Sequence, residues 1–407
     1  MARYLPPMTQ THFPPTRTAA LERLSSFVPR AGRYGLRRNY DVAGHEGVSQ
    51  LSPYIRHRLI TEEEVLRTVL GRYSAQSLEK FVQEVYWRTY WKGWLEMRAP
   101  VWGMYKQGLN AALNNVQTQS GLRAEWEAAC AGTTGIDCFD HWAKELAETG
   151  YLHNHARMWF ASIWIFTLRL PWELGADFFM RHLLDGDAAS NTCSWRWVGG
   201  LQTVGKTYLA RPDNITKYTE GRFRPTGLAP HAEPLNGFAN PDRQPIKTPD
   251  APQAGARTLI VIHEDDMALS TVLNATRGCE IIGAAALACH DARTPLNVAE
   301  NVRVFTEGGL QDTGERFADK LGMTPEILDV DALAQVAADL ECDQVAANYA
   351  PVGPANDTLK KLDKALKGKG IALTQEMPDY DAQAWPYATA GFFKFKTNIP
   401  KLIAGLD

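Results

Sequence analysis

No apolar run in this 407-residue chain is long enough to cross a membrane as a helix. The opening stretch, MARYLPPMTQTHFPP, is polar and proline-rich and has no hydrophobic region of a secretory leader. These absences imply no membrane partner and a cytoplasmic location. Cysteine is scarce. Cys130, Cys138, Cys193, Cys279, Cys289 and Cys342 form no CxxC pair, and their spacing suits neither zinc nor an iron–sulfur cluster. Reduced thiols and no metal centre are expected. A large net charge is missing too, at −3 overall. That total conceals an asymmetry. Residues 1–249 hold 29 Lys and Arg against 23 Asp and Glu, a balance of +6, and the remainder holds 14 against 23, a balance of −9. A basic first part can meet an anion such as DNA, whereas an acidic second part cannot.

What is present is the composition of a globular protein, with 45% apolar and 22% charged residues. The length suits two domains. Twelve tryptophans are many, and packing in large helical cores accounts for most of them. Residues 15–224 lack strand alternation and read mostly as helix, for example over 18–27, 61–70, 77–97, 138–149, 154–168 and 172–184. Thr61 followed by Glu62, Glu63 and Glu64 is a favourable helix start. Residues 225–255 are rich in Pro, Gly, Ala and Asn without a period, and read as an extended linker over the surface. After it the chain alternates. Strands are predicted over 258–263, 281–288, 327–330, 344–348 and 371–375, and helices over 298–321, 332–340 and 357–366. Such alternation predicts a parallel α/β sheet with right-handed crossovers, a Rossmann-like sandwich. The expected organisation is an all-helical domain over 1–224, a linker over 225–256 and an α/β domain over 257–407.

Two segments carry the chemistry. Residues 183–197, LLDGDAASNTCSWRW, place two aspartates one residue apart, an asparagine four residues on, and two tryptophans around an arginine. Upstream lies GYLHNHARM, residues 150–158. Together they resemble the flavin-binding core of the photolyase/cryptochrome family, roughly W-x-H-N-x-x-R-M followed by D-G-D-x-x-x-N-x-x-x-W-x-W. The resemblance implies FAD, a helical FAD-binding domain, and a flavin pocket with a few fixed polar groups at its edge. It implies that Asn154, Arg157, Asp185, Asp187 and Asn191 supply those groups. Arg157 would pair with Asp185, Asp187 would accept hydrogen bonds from the pyrimidine edge or ribose, and Asn191 would face flavin nitrogen-5. D-G-D alone also makes a good turn.

Residues 31–41, AGRYGLRRNYD, and 48–61, VSQLSPYIRHRLIT, resemble the family's phosphate-binding stretch. Tyr34, Arg38, Ser49, Gln50, Leu51 and Ser52 stand at matching positions, and Val48 replaces the usual Thr. Phosphates need such backbone donors, hydroxyls and cations. Residues 81–94, FVQEVYWRTYWKGW, resemble the Q-E-L-x-W-R-E-F-Y helix. Glu84 and Trp87, three apart, share a helix face, with Trp197 opposite. Two aromatic walls and a carboxylate suit a flipped-out pyrimidine dimer. Arg88 would add positive charge, while Trp91 and Trp94 read as packing.

Two histidines four apart mark relatives acting on the (6-4) photoproduct. Asn154 and Met158 occupy those positions here, which implies the cyclobutane-dimer type; His153 and His155 lie off them. Trp195 and Trp172 match the first two members of the family's electron-transfer chain. Residues 107–119 contain no tryptophan, so Trp142 or a tyrosine would take the third place. The Asn–Glu pair that holds folate in relatives aligns near Pro354 and Ala355, which cannot make those bonds; the antenna chromophore stays open. In the family the α/β antenna domain comes first. Here TLIVIHEDDMALS, DQVAANYAP and FFKFKTNIPKL resemble that domain's motifs after the helical half, as in a circular permutation, which is cheap when a flexible joint allows it. The resemblance implies a light-dependent deoxyribodipyrimidine photo-lyase acting on DNA with cyclobutane dimers. A cryptochrome-like blue-light photoreceptor without repair activity is the alternative.

Overall fold

The computed structural model describes residues 12–406. The first eleven residues of the proline-rich opening stretch lie outside the described residues.

Local chemistry sets the helices of the first half. The helix Glu62–Leu70 opens on a capping box: Thr61 accepts from Glu64 N, and the Glu64 side chain reaches back to the Thr61 backbone. Gly132 and Gly150 end the helices Ser120–Ala131 and Asp137–Thr149 in the left-handed conformation, at φ 63° and 69°. The predicted 154–168 helix changes pitch. It runs as α-helix over Asn154–Ser162 and as a π-turn over Ile163–Thr167. A second π-turn spans Ala188–Cys193. Such turns are frequent at functional sites.

All strands among the described residues lie in the second half. They are β1 (Arg257–His263), β2 (Glu280–Leu287), β3 (Glu326–Leu328), β4 (Gln344–Asn348) and β5 (Ala372–Glu376), in parallel order β3-β2-β1-β4-β5. Val330, predicted to end a strand, instead starts the helix Val330–Asp339, because Asp329 caps it by accepting from Ala332 N. β1 is buried on both faces, as parallel strands are. Leu259 and Val261 face a small core with Leu333 and Leu359. Ile260 and Ile262 face the other way and join one continuous core with the helical half.

The strand order reverses between β1 and β4, where open α/β sheets leave a crevice. In this protein the helical half fills it. His57 Nδ1 lies 2.5 Å from Glu264 O, Arg56 pairs with Asp265 at 2.5 Å, and Arg58 meets Asp266 at 2.8 Å and Asp381 at 2.7 Å. Residues 225–255 are mostly exposed and are fastened along their length. Ala229 N donates to Thr167 Oγ1, Leu235 N to Gly199 O, and Gln244 N to Met97 O.

After β5 the chain leaves the sheet. Its short helices, including Asp379–Ala384 and Phe392–Lys396, pack on the helix Glu79–Glu96. Thr89 Oγ1 and Tyr380 OH are 2.9 Å apart, and Tyr90 OH donates to Ala390 O. FFKFKTNIPKL is therefore a pair of helical turns against the first half, with Phe392 set on Trp87 at 4.5 Å between rings.

Candidate functional site

The helix Glu79–Glu96 places Glu84, Trp87, Arg88 and Trp91 at spacings of three and four, so they share one face. Three adjoining cavities of about 160, 230 and 950 Å³ open there, and Glu84 and Asn154 line all three. The smallest gathers Tyr34, Ser49, Gln50, Leu51, Ser52, Trp87, Arg88, Arg157, Asp185 and Asn191. The second adds Arg38, Met158, Trp195 and Trp197. The largest is walled by Tyr34, Arg38 and Met158 together with Tyr208 and residues 230–233.

Arg157 organises the polar edge. Its Nη1 donates to Asp185 Oδ2 and to Asn191 Oδ1, both at 2.9 Å, and its Nε donates to Leu152 O at 2.8 Å. The Asn191 amide then donates to Asp185 O at 2.6 Å. Burial would push the Asp185 carboxyl up, but Arg157 and Arg88 outweigh it and hold the group below the usual range. Asp185 Oδ1 is buried without a hydrogen-bond partner. A ring or hydroxyl donor from a ligand would complete it. With the serine hydroxyls and three arginines around an aromatic-walled space, the residues fit a phosphate-bearing flavin cofactor.

Glu84 pairs with Arg38 at 2.6 Å, so the carboxylate and the cation of two separate sequence motifs meet over the cavities. Asp187 departs from the sequence reading. It lines none of the three cavities. Its Oδ1 accepts from Ala189 N and Ser190 N, and its Oδ2 accepts from Ser190 Oγ and from Arg88 at 2.6 Å. The turn reading of D-G-D therefore applies to its second aspartate, which caps the π-turn and anchors Arg88, leaving nothing for a ribose. Gln50 contributes to the cavity wall, but its buried side chain is taken up by the protein, donating to Gly44 O at 2.9 Å, accepting from Arg23 at 3.2 Å and meeting His12 Nε2 at 3.1 Å.

Trp195 lines the second cavity and packs edge-on to Phe179 at 5.0 Å and Trp164 at 6.2 Å. Trp172 stands off the cavities, with its ring 5.8 Å from Tyr105, which stacks on Trp102 at 5.1 Å. Trp142 packs instead on Trp159 and donates to Asp41 Oδ2 at 2.9 Å. Trp197 stacks on Tyr208 at 5.6 Å. Pro354 and Ala355 are buried at the start of the helix Pro354–Lys367. Sequence reasoning missed Tyr151, Tyr208 and the linker wall at 230–233. Thr207 Oγ1 donating to Ala232 O fixes that wall, a contact with no signature in a proline-rich stretch.

Residues 81–224 match the family model described as the FAD binding domain of DNA photolyase. A deoxyribodipyrimidine photo-lyase of Neurospora crassa is 30% identical over 198 residues, which are 47% of this chain and 31% of the relative. The Thermus thermophilus deoxyribodipyrimidine photo-lyase is 32% identical over 202 residues, 48% of this chain and 45% of the relative. Over 50% of the chain, a Synechocystis cryptochrome structure superposes with a TM-score of 0.41 at 23% identity, covering 43% of that protein. The matched part thus spans less than half the length of these relatives. Residues 81–224 are thus similar to the FAD binding domain of DNA photolyase, and the cofactor that such a domain takes is FAD.

Proposed function

We propose that the protein is a light-dependent photolyase that splits cyclobutane pyrimidine dimers in DNA. The observation that carries this reading is the convergence of Glu84, Trp87, Asn154, Met158 and Trp197 on adjoining cavities that also hold the polar edge at Arg157, Asp185 and Asn191. The names of the relatives, deoxyribodipyrimidine photo-lyases, support the substrate. FAD, when bound, supplies light absorption and one-electron exchange. The chain's own work is positioning and electrostatics. Asp185, Arg157 and Asn191 would hold the ring edge, and Tyr34, Ser49 and Ser52 the rest of the cofactor. Trp87 and Trp197 offer apolar faces on which two flipped bases stack and water is excluded. Glu84 is the hydrogen-bonding carboxylate between those faces. Arg38, freed when Glu84 turns to the substrate, is placed to meet a phosphate. We read the order of the halves, helical first and parallel sheet second, as a circular permutation joined by residues 225–256.

The test is loss of a cyclobutane thymine dimer from a single-stranded oligonucleotide under blue light with the reduced holoprotein. Light-dependent loss that falls roughly tenfold or more in Glu84→Gln, one hydrogen bond to a charged group, is expected, with FAD content unchanged. No loss in the wild type, with FAD bound, would replace this reading by the photoreceptor one.

A further inference from the structure

The loop that carries Ser49, Gln50, Leu51 and Ser52 into the FAD cavity has two consecutive residues in the left-handed region, Gly44 at φ 74° and His45 at φ 52°. That conformation is costly for histidine and persists where surroundings impose it. At His45 the surroundings are two carboxylates. Nε2 is hydrogen-bonded to Glu145 Oε1 at 2.7 Å, and Nδ1 lies 3.4 Å from Asp41 Oδ1, an ion contact in which neither atom has a hydrogen-bond partner. A neutral imidazole keeps a lone pair on one nitrogen, which would then face a carboxylate oxygen; only the imidazolium offers N–H to both. The ring is buried, and it rests on Tyr151 at 5.3 Å, a wall of the FAD cavity. Its backbone is joined to the loop beyond. Val48 N donates to His45 O at 3.1 Å, and the Gln50 amide donates to Gly44 O at 2.9 Å.

We infer that His45 is a positioning residue, held as an imidazolium between Asp41 and Glu145, and that in this form it fixes the loop 42–52 so that FAD affinity is linked to its protonation. This rests on FAD binding in the cavity the loop lines. The charged and titratable groups around the ring are Asp41 on its own loop, Glu145 and His141 on the helix Asp137–Thr149, His153 stacked at 5.8 Å, Tyr151, and Arg222, which pairs with Asp41 at 2.8 Å. Burial lowers His45, but Asp41 and Glu145 prevail and raise it to about 9. His153 is pushed by burial to about 3 and stays neutral across that range. When the loop opens, His45 loses its carboxylates and returns toward 6.5. The closed loop therefore binds the extra proton between these values. Its advantage is full below pH 6.5, declines as pH rises, and is gone above 9.

The experiment measures FAD dissociation from diluted holoprotein, by the fluorescence of released FAD, across that pH range. The wild type is expected to weaken by about tenfold from the low end to the high end, the equivalent of one charge-assisted hydrogen bond, with the far-ultraviolet circular dichroism unchanged. His45→Asn, neutral and tolerant of the left-handed conformation, should bind FAD at the weaker level throughout with a flat profile. Glu145→Gln should move the decline to lower pH, and decides the matter if His45→Asn does not fold. A flat wild-type profile, or a decline retained in His45→Asn or unmoved in Glu145→Gln, overturns the inference. Absence of FAD binding at every pH would instead refute the cavity assignment beneath it.

Discussion

Asp185 and Asp187 show what one residue of separation conceals. In the sequence both stand beside the same motif with the same side chain. In the fold, Asp185 meets Arg157 and Arg88 at the cavity edge, while Asp187 turns inward as a cap. The sequence distinguishes the pair by no local feature, because the choice depends on the π-turn that follows. Arg38 and Glu84 were likewise legible as site residues but not as partners, being 46 positions apart. Asp185→Asn would leave the largely buried Arg157 guanidinium without a counter-charge and take one of two carboxylates from Arg88, which keeps Asp187. It is expected to destabilise the protein by about 3–5 kcal/mol and to abolish FAD retention, measured by chemical denaturation and by the flavin absorbance after gel filtration. Since Asp185 is held below the ordinary carboxyl range, its contribution in the wild type is present above that range. It is lost as pH falls through the lowered native value. The gap between wild type and variant should therefore close in strong acid.

The helix Glu79–Glu96 was visible from its tryptophans and their spacing, and so was the face that lines the cavities. Its other face was not. Tyr86, Thr89, Tyr90 and Gly93 are covered by the segment after β5, some 300 residues on, and no period within the helix names that partner. Gly93 is where the approach is closest. A Cβ there would lie 2.9 Å from the Trp385 backbone and side chain, closer than packed atoms tolerate. Gly93→Ala is accordingly expected to cost about 1–3 kcal/mol despite the helical preference of alanine. The displaced segment should also carry Phe392 off Trp87. Faster proteolysis within residues 379–398, together with a lower melting temperature, would report this; unchanged cleavage would show that the contact gives way without consequence.

Across the whole molecule, the charge asymmetry finds a partner inside the protein. The basic first half sends Arg56, Arg58 and Lys106 into contact with Asp265, Asp266, Asp381 and Asp357 of the acidic second half. Composition could register the imbalance, and an interface with DNA was a fair reading of it. The sequence holds no sign that part of the imbalance is neutralised within the chain. Arg58 is the centre: fully buried, it binds Glu62, Asp266 and Asp381 at once. Burial and the neighbouring Glu62 already raise Asp381 against the pull of Arg58. Arg58→Met would keep the side-chain bulk and leave three carboxylates with little counter-charge beyond Lys92. A loss of about 3–5 kcal/mol follows near neutral pH. The sign of the pH dependence is fixed by the same physics. Without Arg58 the buried carboxylates bind protons above their unfolded values, so the variant regains stability as pH falls and they neutralise. Melting temperatures of wild type and Arg58→Met should therefore differ more at about pH 8 than at about pH 5. The difference should vary little with salt, because a buried cluster is poorly screened. A gap that instead widened in acid would mean that these carboxylates reach water, and that the two halves are held together by their shared apolar core with the charges at its margin.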